Sequence, residues 1–151
     1  MFSDLLLIAF ARCGHTAILF DVAGPKRVAT YEVSNSLLAK LGPADLTIEC
    51  HLDASSDPSW RSGIVLHQRN ERAAQLALAI TRAADATMPW PMRAPVPWDA
   101  PDYGRAEQYF TRAPEPAVIF EAGFITHDRA REWLFDPENA AKLAEALARA
   151  V

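Results

Sequence analysis

Cysteine is scarce: Cys13 and Cys50 are the whole complement in 151 residues. Two thiols cannot supply the bridges on which small secreted scaffolds depend, so they read as free, buried side chains. Basic residues are also in the minority, 15 against 19 acidic, which leaves a net charge of -4. That balance argues against a nucleic-acid partner, which would call for a basic face. No apolar run is long enough to cross a membrane, and the opening one, Leu5 to Phe10, lacks the basic flank and cleavage site of a signal peptide. The chain is therefore expected to be made in the cytoplasm, without membrane insertion, and to need another factor for release if it acts outside. What is present is ordinary globular composition, half apolar and 23% charged, enough for one core and one domain over residues 1–151.

Continuous apolar runs at 5–11, 45–50, 63–68 and 116–124 suit strands buried on both faces. The stretch 16–22 is a weaker candidate. Helical patterns separate the runs: residues 31–42, stopped by Gly42-Pro43; 71–88, rich in Ala and Leu; 128–135; and 137–151, with Pro137 near its first turn. This alternation predicts an α/β fold, a three-layer sandwich with a largely parallel twisted sheet flanked by helices. Residues 88–110 interrupt it with Pro89, Pro91, Pro95, Pro97 and Pro101 beside Trp90 and Trp98. Prolines at that density cannot continue a helix or a central strand. The loop is either a plain surface excursion or a substrate-binding rim carrying exposed aromatic rings.

The stretch PAVIFEAGFITH, residues 116–127, runs an apolar strand into a carboxylate, Glu121, with Gly123 close behind to let the backbone turn. A buried acid at a strand end must be paired, ligated or protonated, because an isolated charge in apolar surroundings is too costly. Three other residues are candidates to meet it where ligands gather, at the carboxyl ends of parallel strands. They are His15 after the first strand, Glu32 in the first turn of a helix, and His51 just beyond the second strand. Two imidazoles and a carboxylate form a recurrent zinc set that leaves a fourth position to water. Each residue alone has a plainer use, as a hydrogen-bonded structural histidine or as an acid complementing a helix N-terminus.

Gly14-His15, Tyr31-Glu32, ECHLDAS (residues 49–55) and FEAGF (residues 120–124), in that order, resemble the zinc-dependent N-acetylmuramoyl-L-alanine amidases, cell-wall hydrolases that include phage-type endolysins. The resemblance implies Zn2+ held by His15, Glu32 and His51. It implies Glu121 as the general base that activates the metal's water against the amide joining N-acetylmuramic acid to L-alanine, then protonates the leaving amine. It further implies a peptidoglycan substrate, action at the cell wall (periplasm or exterior) and a monomer.

The sequence departs from the family at several points. His51 follows Glu32 by 19 positions, where the family inserts a further strand and helix. In one register residues 5–15 are the first strand and ligand, and a strand–helix unit is deleted. In the other the chain begins at the family's first helix, and the first two ligands are missing. Helix signals are better after Glu32 than before Cys13, which favours the first register. Glu49 either touches the site or faces a neighbour, and Asp53 is a candidate partner for an imidazole. His127 reads as a cap or surface residue and His67 as structural, while Arg93 and Arg105 suit a peptide carboxylate. Two other readings compete with the amidase: a metal-deficient amidase-like module that binds peptidoglycan or a partner without hydrolysis, and a metal-dependent amidohydrolase for small acylated amino acids.

Overall fold

The opening apolar run folds as a helix. In a computed structural model that describes residues 2–18, 43–57, 59, 62–100 and 113–151, α1 spans Phe2–Arg12. The strand expected at residues 5–11 is thus corrected. Phe2, Leu5, Leu6, Ala9, Phe10 and Cys13 all face the main core, and their spacing is that of a helical stripe. Leu7 and Ile8 are apolar as well, and Ile8 is 47% exposed. These two neighbours blur the stripe into what looks like a strand buried on both faces. The helix expected at 31–42, and with it Glu32, lies outside the described residues.

The remaining elements follow the expected runs, except that the strand expected at 45–50 extends to include His51 and Asp53 and that a short strand arises within the proline-dense segment. They are β1 (Thr47–Asp53), β2 (Ile64–His67), α2 (Glu71–Thr87), β3 (Val96–Pro97), β4 (Ala117–Phe124), α3 (Asp128–Phe135) and α4 (Pro137–Ala150). The four strands form one sheet in the order β1-β4-β2-β3. β1 runs parallel to β4 and β2 parallel to β3, while β2 and β4 are antiparallel. The expected α/β architecture with a largely parallel sheet is what the structure shows.

Side chains alternate across each strand. Val118, Phe120 and Ala122 of β4, Val65 of β2, and Ile48, Cys50 and Leu52 of β1 face the layer of α1, α2, α3 and α4. Phe120, Leu143 and Leu147 are among the largest fully buried side chains there. The opposite face carries a smaller cluster of Ile64, Leu66, Ala113, Ala117 and Ile119, with Val96 and Trp98 against it. Glu121 alternates onto this second face, and so do Glu49, His51 and Asp53.

Caps fix the helix starts. Asn70 accepts from the Ala73 amide at 2.8 Å at the head of α2, and His127 accepts through Nδ1 from Ala130 at 3.1 Å at the head of α3. His127 is therefore the cap its position suggests. Asp136 both follows α3 and caps α4, with Oδ1 accepting from Glu138 (3.0 Å) and Asn139 (2.9 Å). Asp136→Ala is expected to cost about 1 kcal/mol, the usual loss of an N-cap, as a lower midpoint in urea unfolding.

The proline-dense segment is not a free rim over its described half. It carries β3, and Trp90 is only 6% exposed. Its Nε1–H donates to the Ala122 carbonyl at 2.9 Å, and its ring meets Trp133 edge to face at 5.3 Å. Trp90 is a buried clamp and not the exposed ring of the rim reading, while Trp98 is half-buried against the smaller cluster. Residues 101–110 of that segment, Arg105 among them, lie outside the described residues.

Candidate functional site

The pairing of β1, β4 and β2 sets three residues on one rung. His51 is opposite Glu121, and Glu121 is opposite Ile64. Partners on a rung share a face and lie one strand spacing apart, about 4.8 Å, so the imidazole and the carboxylate stand side by side at the carboxyl end of β1. Just beyond, the register slips: the rungs His51–Glu121 and Asp53–Phe124 leave β4 with one residue more than β1. Gly123 falls in this bulge with a φ of 157°, close to extended. The tight turn expected at Gly123 is instead a local kink within the strand, a common means of re-aiming a side chain.

Gly63 is what lets β2 lie against β4 here. A Cβ at this position would come within 2.7 Å of the Glu121 carbonyl oxygen and 3.0 Å of the Ala122 carbonyl oxygen. On the far side of Gly63, the backbone of residues 91–93 closes in as a parallel bridge. Gly63 N–H donates to the Pro91 carbonyl and the Arg93 N–H donates to the Gly63 carbonyl at 2.8 Å.

Electrostatics bind the group together. His51 Nε2–H donates to Glu49 Oε1 at 2.6 Å, two residues back on the same face of β1. That bond raises the imidazole's pKa above its ordinary value, burial opposes it, and the charges of Glu49, Glu121 and Asp53 reinforce it. Glu121 is also raised, first by burial and then by the charge of Asp53, against the lowering pull of His51 and Arg93. Asp53 accepts from its neighbour Ala54 at 2.7 Å, so the imidazole's hydrogen-bonded partner is Glu49 rather than Asp53. On the helical side of the sheet, an apolar cleft of about 240 Å³ is lined by Phe2, Cys50, Leu52, Phe120, Leu134 and the edge of His51. Both cysteines are free, and burial pushes the Cys50 thiol up to about 12, which keeps it protonated and inert.

The other expected ligands do not join this pair. His15 follows α1 in the helical layer, where its ring lies 5.4 Å from that of Phe10 and its Nε2–H donates to the Ala148 carbonyl of α4 at 3.1 Å. Glu32 is outside the described residues. Among the described residues no group of three or more His, Cys, Asp or Glu side chains could hold a metal ion. Nε2 of each histidine is engaged in a hydrogen bond, to the Ala148 carbonyl and to Glu49 respectively. The described residues therefore do not make up a zinc site by themselves. If the described residues were the whole shell, purified protein would carry substoichiometric zinc and a chelator would leave its melting temperature unchanged. Elemental analysis and thermal melts with and without EDTA check this.

Sequence alone singled out Glu121 and His51 but left Glu49, Arg93 and Gly63 without settled roles. The alternation of Glu49, His51 and Asp53 along one strand was the available signal for the first. A glycine directly before the β2 run was the signal for the last.

Solved structures show whose fold this is. The chain superposes with a TM-score of 0.79 on an N-acetylmuramoyl-L-alanine amidase from Clostridium difficile 630, at 13% identity over 99% of this chain and 77% of that one. It matches the catalytic domain of the CD27L endolysin, which targets Clostridia difficile, at 0.74 and 18%, over 99% and 78%. It matches the Clostridioides difficile CwlD amidase, solved in complex with the GerS lipoprotein, at 0.72 and 16%, over 99% and 80%. These likenesses define the fold: an α/β domain of the same architecture as those structures. A family model described as N-acetylmuramoyl-L-alanine amidase matches residues 11–151, and the chain belongs to that family. No curated protein sequence matches the chain.

Proposed function

We propose that this chain acts on peptidoglycan at the amide between N-acetylmuramic acid and L-alanine, with Glu121 moving the proton. The observation that carries the reading is the rung that sets Glu121 beside His51 at the carboxyl end of β1, in a chain of the amidase family. A half-buried carboxylate with a raised pKa suits a general base, which must take a proton from water and later give it up to the leaving amine. His51, whose hydrogen bond to Glu49 favours its protonated form, stands beside Glu121, where it would stabilise negative charge on the attacked carbonyl. In the resemblance set out above zinc supplies the activated water, held by His15, Glu32 and His51. The described residues do not bring that shell together. An endolysin-type role, with release to the wall by another factor, goes with this reading.

A second reading is a metal-deficient amidase-like module that holds peptidoglycan without cutting it. It is favoured by α1 being a helix, as the register without the first two ligands requires, and by the engagement of His15 with α4. One experiment separates the two. The protein is incubated with purified peptidoglycan, with and without added zinc, and both co-sedimentation and newly freed L-alanine amino groups are measured. Freed amino groups that vanish in Glu121→Gln support the hydrolase. Co-sedimentation with no freed amino groups even with zinc supports the binding module, and the absence of both sinks the two together.

A further inference from the structure

The rung that holds His51 and Glu121 continues across the sheet to a cation. Glu121 is opposite Ile64 of β2. Beyond β2, Met92 bridges Gly63 in parallel and Arg93 donates its amide to the Gly63 carbonyl, so Arg93 runs alongside Ile64. Faces follow from the alternation. Met92 packs with Ala122 in the core on the helical side. Arg93, one residue on, therefore shares the opposite face with Ile64, Glu121 and His51. Its Nε is buried, and its charge acts on Glu121 in the lowering direction, against the larger raising effect of burial. The order along the face is thus imidazole, carboxylate, apolar side chain, guanidinium.

We infer that Arg93 is a specificity-determining residue, receiving the free α-carboxylate of the second residue of a stem peptide whose first amide lies over Glu121. The inference rests on the peptidoglycan reading of the site and adds to it the chemical class of peptide preferred. Two strand spacings separate the Cα of Glu121 from that of Arg93, about 10 Å. A long arginine side chain spans much of that interval, and the next residue of an extended peptide begins about 4 Å from the one before. With the peptide running from Glu121 across β2, the carboxylate of a second residue linked through its side chain would lie over Ile64, within reach of the guanidinium. Arginine suits this task because its planar fork pairs both oxygens of a carboxylate, whereas an amide offers one acceptor and no charge.

The test compares two ligands that differ only at that group: N-acetylmuramoyl-L-alanyl-D-isoglutamate and its D-isoglutamine counterpart. Binding to the full chain is measured by calorimetry for the wild type, Arg93→Gln and Arg93→Lys, with circular dichroism confirming that each is folded. The wild type is expected to bind the carboxylate form about tenfold more tightly than the amide form, the scale of a charge-assisted contact. Arg93→Gln is expected to bind both alike. Arg93→Lys, which keeps the charge and loses the fork, should fall between, and it decides the matter should the glutamine variant be unfolded. Equal binding of both ligands by the wild type overturns the role of Arg93 and leaves the peptidoglycan reading standing. A preference that survives intact in Arg93→Gln or Arg93→Lys overturns it as well. If the wild type binds neither ligand, the reading of the site fails and the role of Arg93 fails with it.

Discussion

Glu121→Gln is expected to lower amide hydrolysis by a factor on the order of a hundred to ten thousand, the range carried by a positioned proton-transfer group. The side chain keeps its size and its place on the rung with His51, but it can no longer accept the proton. The same substitution is expected to stabilise the fold at neutral pH. The folded pKa of Glu121 lies above its ordinary value because burial disfavours the charge and Asp53 adds repulsion. The folded state therefore binds this proton more tightly than the unfolded chain does. Its favourable contribution is present below the ordinary glutamate range and is lost as pH rises through the folded pKa. Glutamine stays neutral throughout, so the gap between variant and wild type should open with rising pH over that window. Release of L-alanine amino groups reads the first effect, and melting temperatures from pH 4 to pH 8 read the second. A variant that melts lower than the wild type at neutral pH would show that Glu121 is held by stronger favourable contacts than His51 and Arg93 supply.

Gly63→Val is expected to destabilise the protein by roughly 3 kcal/mol, the upper range for forcing extra atoms into a packed site. The nearest heavy atoms to the added Cβ would be Met92 Sδ, the Glu121 carbonyl oxygen at 2.7 Å and the Ala122 carbonyl oxygen at 3.0 Å. Methionine can yield, being unbranched and adaptable. The two carbonyls belong to β4, and they can retreat only if β2 and β4 part. At this chain length a loss of that size lowers the melting temperature by about 6–12 °C. Gly63→Ala should fall by less, since it brings the Cβ without the branches. Separation of the strands would also carry Glu121 away from its rung, so a folded Gly63→Ala protein is expected to lose activity or ligand binding beyond its loss of stability. Thermal melts beside a peptidoglycan-binding assay would show the two effects.

Much of this arrangement is legible in the sequence, and the failures have physical causes. The runs that became β2 and β4 announced themselves because strands buried on both faces are apolar throughout. β1, by contrast, is half-buried and alternates Ile48, Cys50 and Leu52 with Glu49, His51 and Asp53. Glu121 stood out because a carboxylate in such a run demands an explanation. The same rule misled at residues 5–11, where a helix with Leu7 and Ile8 beside its buried stripe is as continuous as a strand. That one assignment carried His15 with it, since a histidine after a strand would approach the sheet's carboxyl end, whereas after α1 it reaches the Ala148 carbonyl. Trp90 was legible as an aromatic in a proline-dense segment, but not its burial, because proline density reports what a segment cannot form and not what it packs against. The partnership of Glu49 with His51 depends on rotamers that strand alternation permits without choosing. Arg93 depends on a bridge between residues about thirty apart, which no local pattern encodes.

The edge-to-face contact of Trp90 with Trp133, beside the carbonyl that follows Glu121, gives the site an optical reporter. One indole is fastened by its N–H to β4 and the other rides on α3, so their emission should redden and weaken if the strand bearing the acid lifts from its helical layer. Loosening of the active strand could then be followed by fluorescence in the intact protein, without any label.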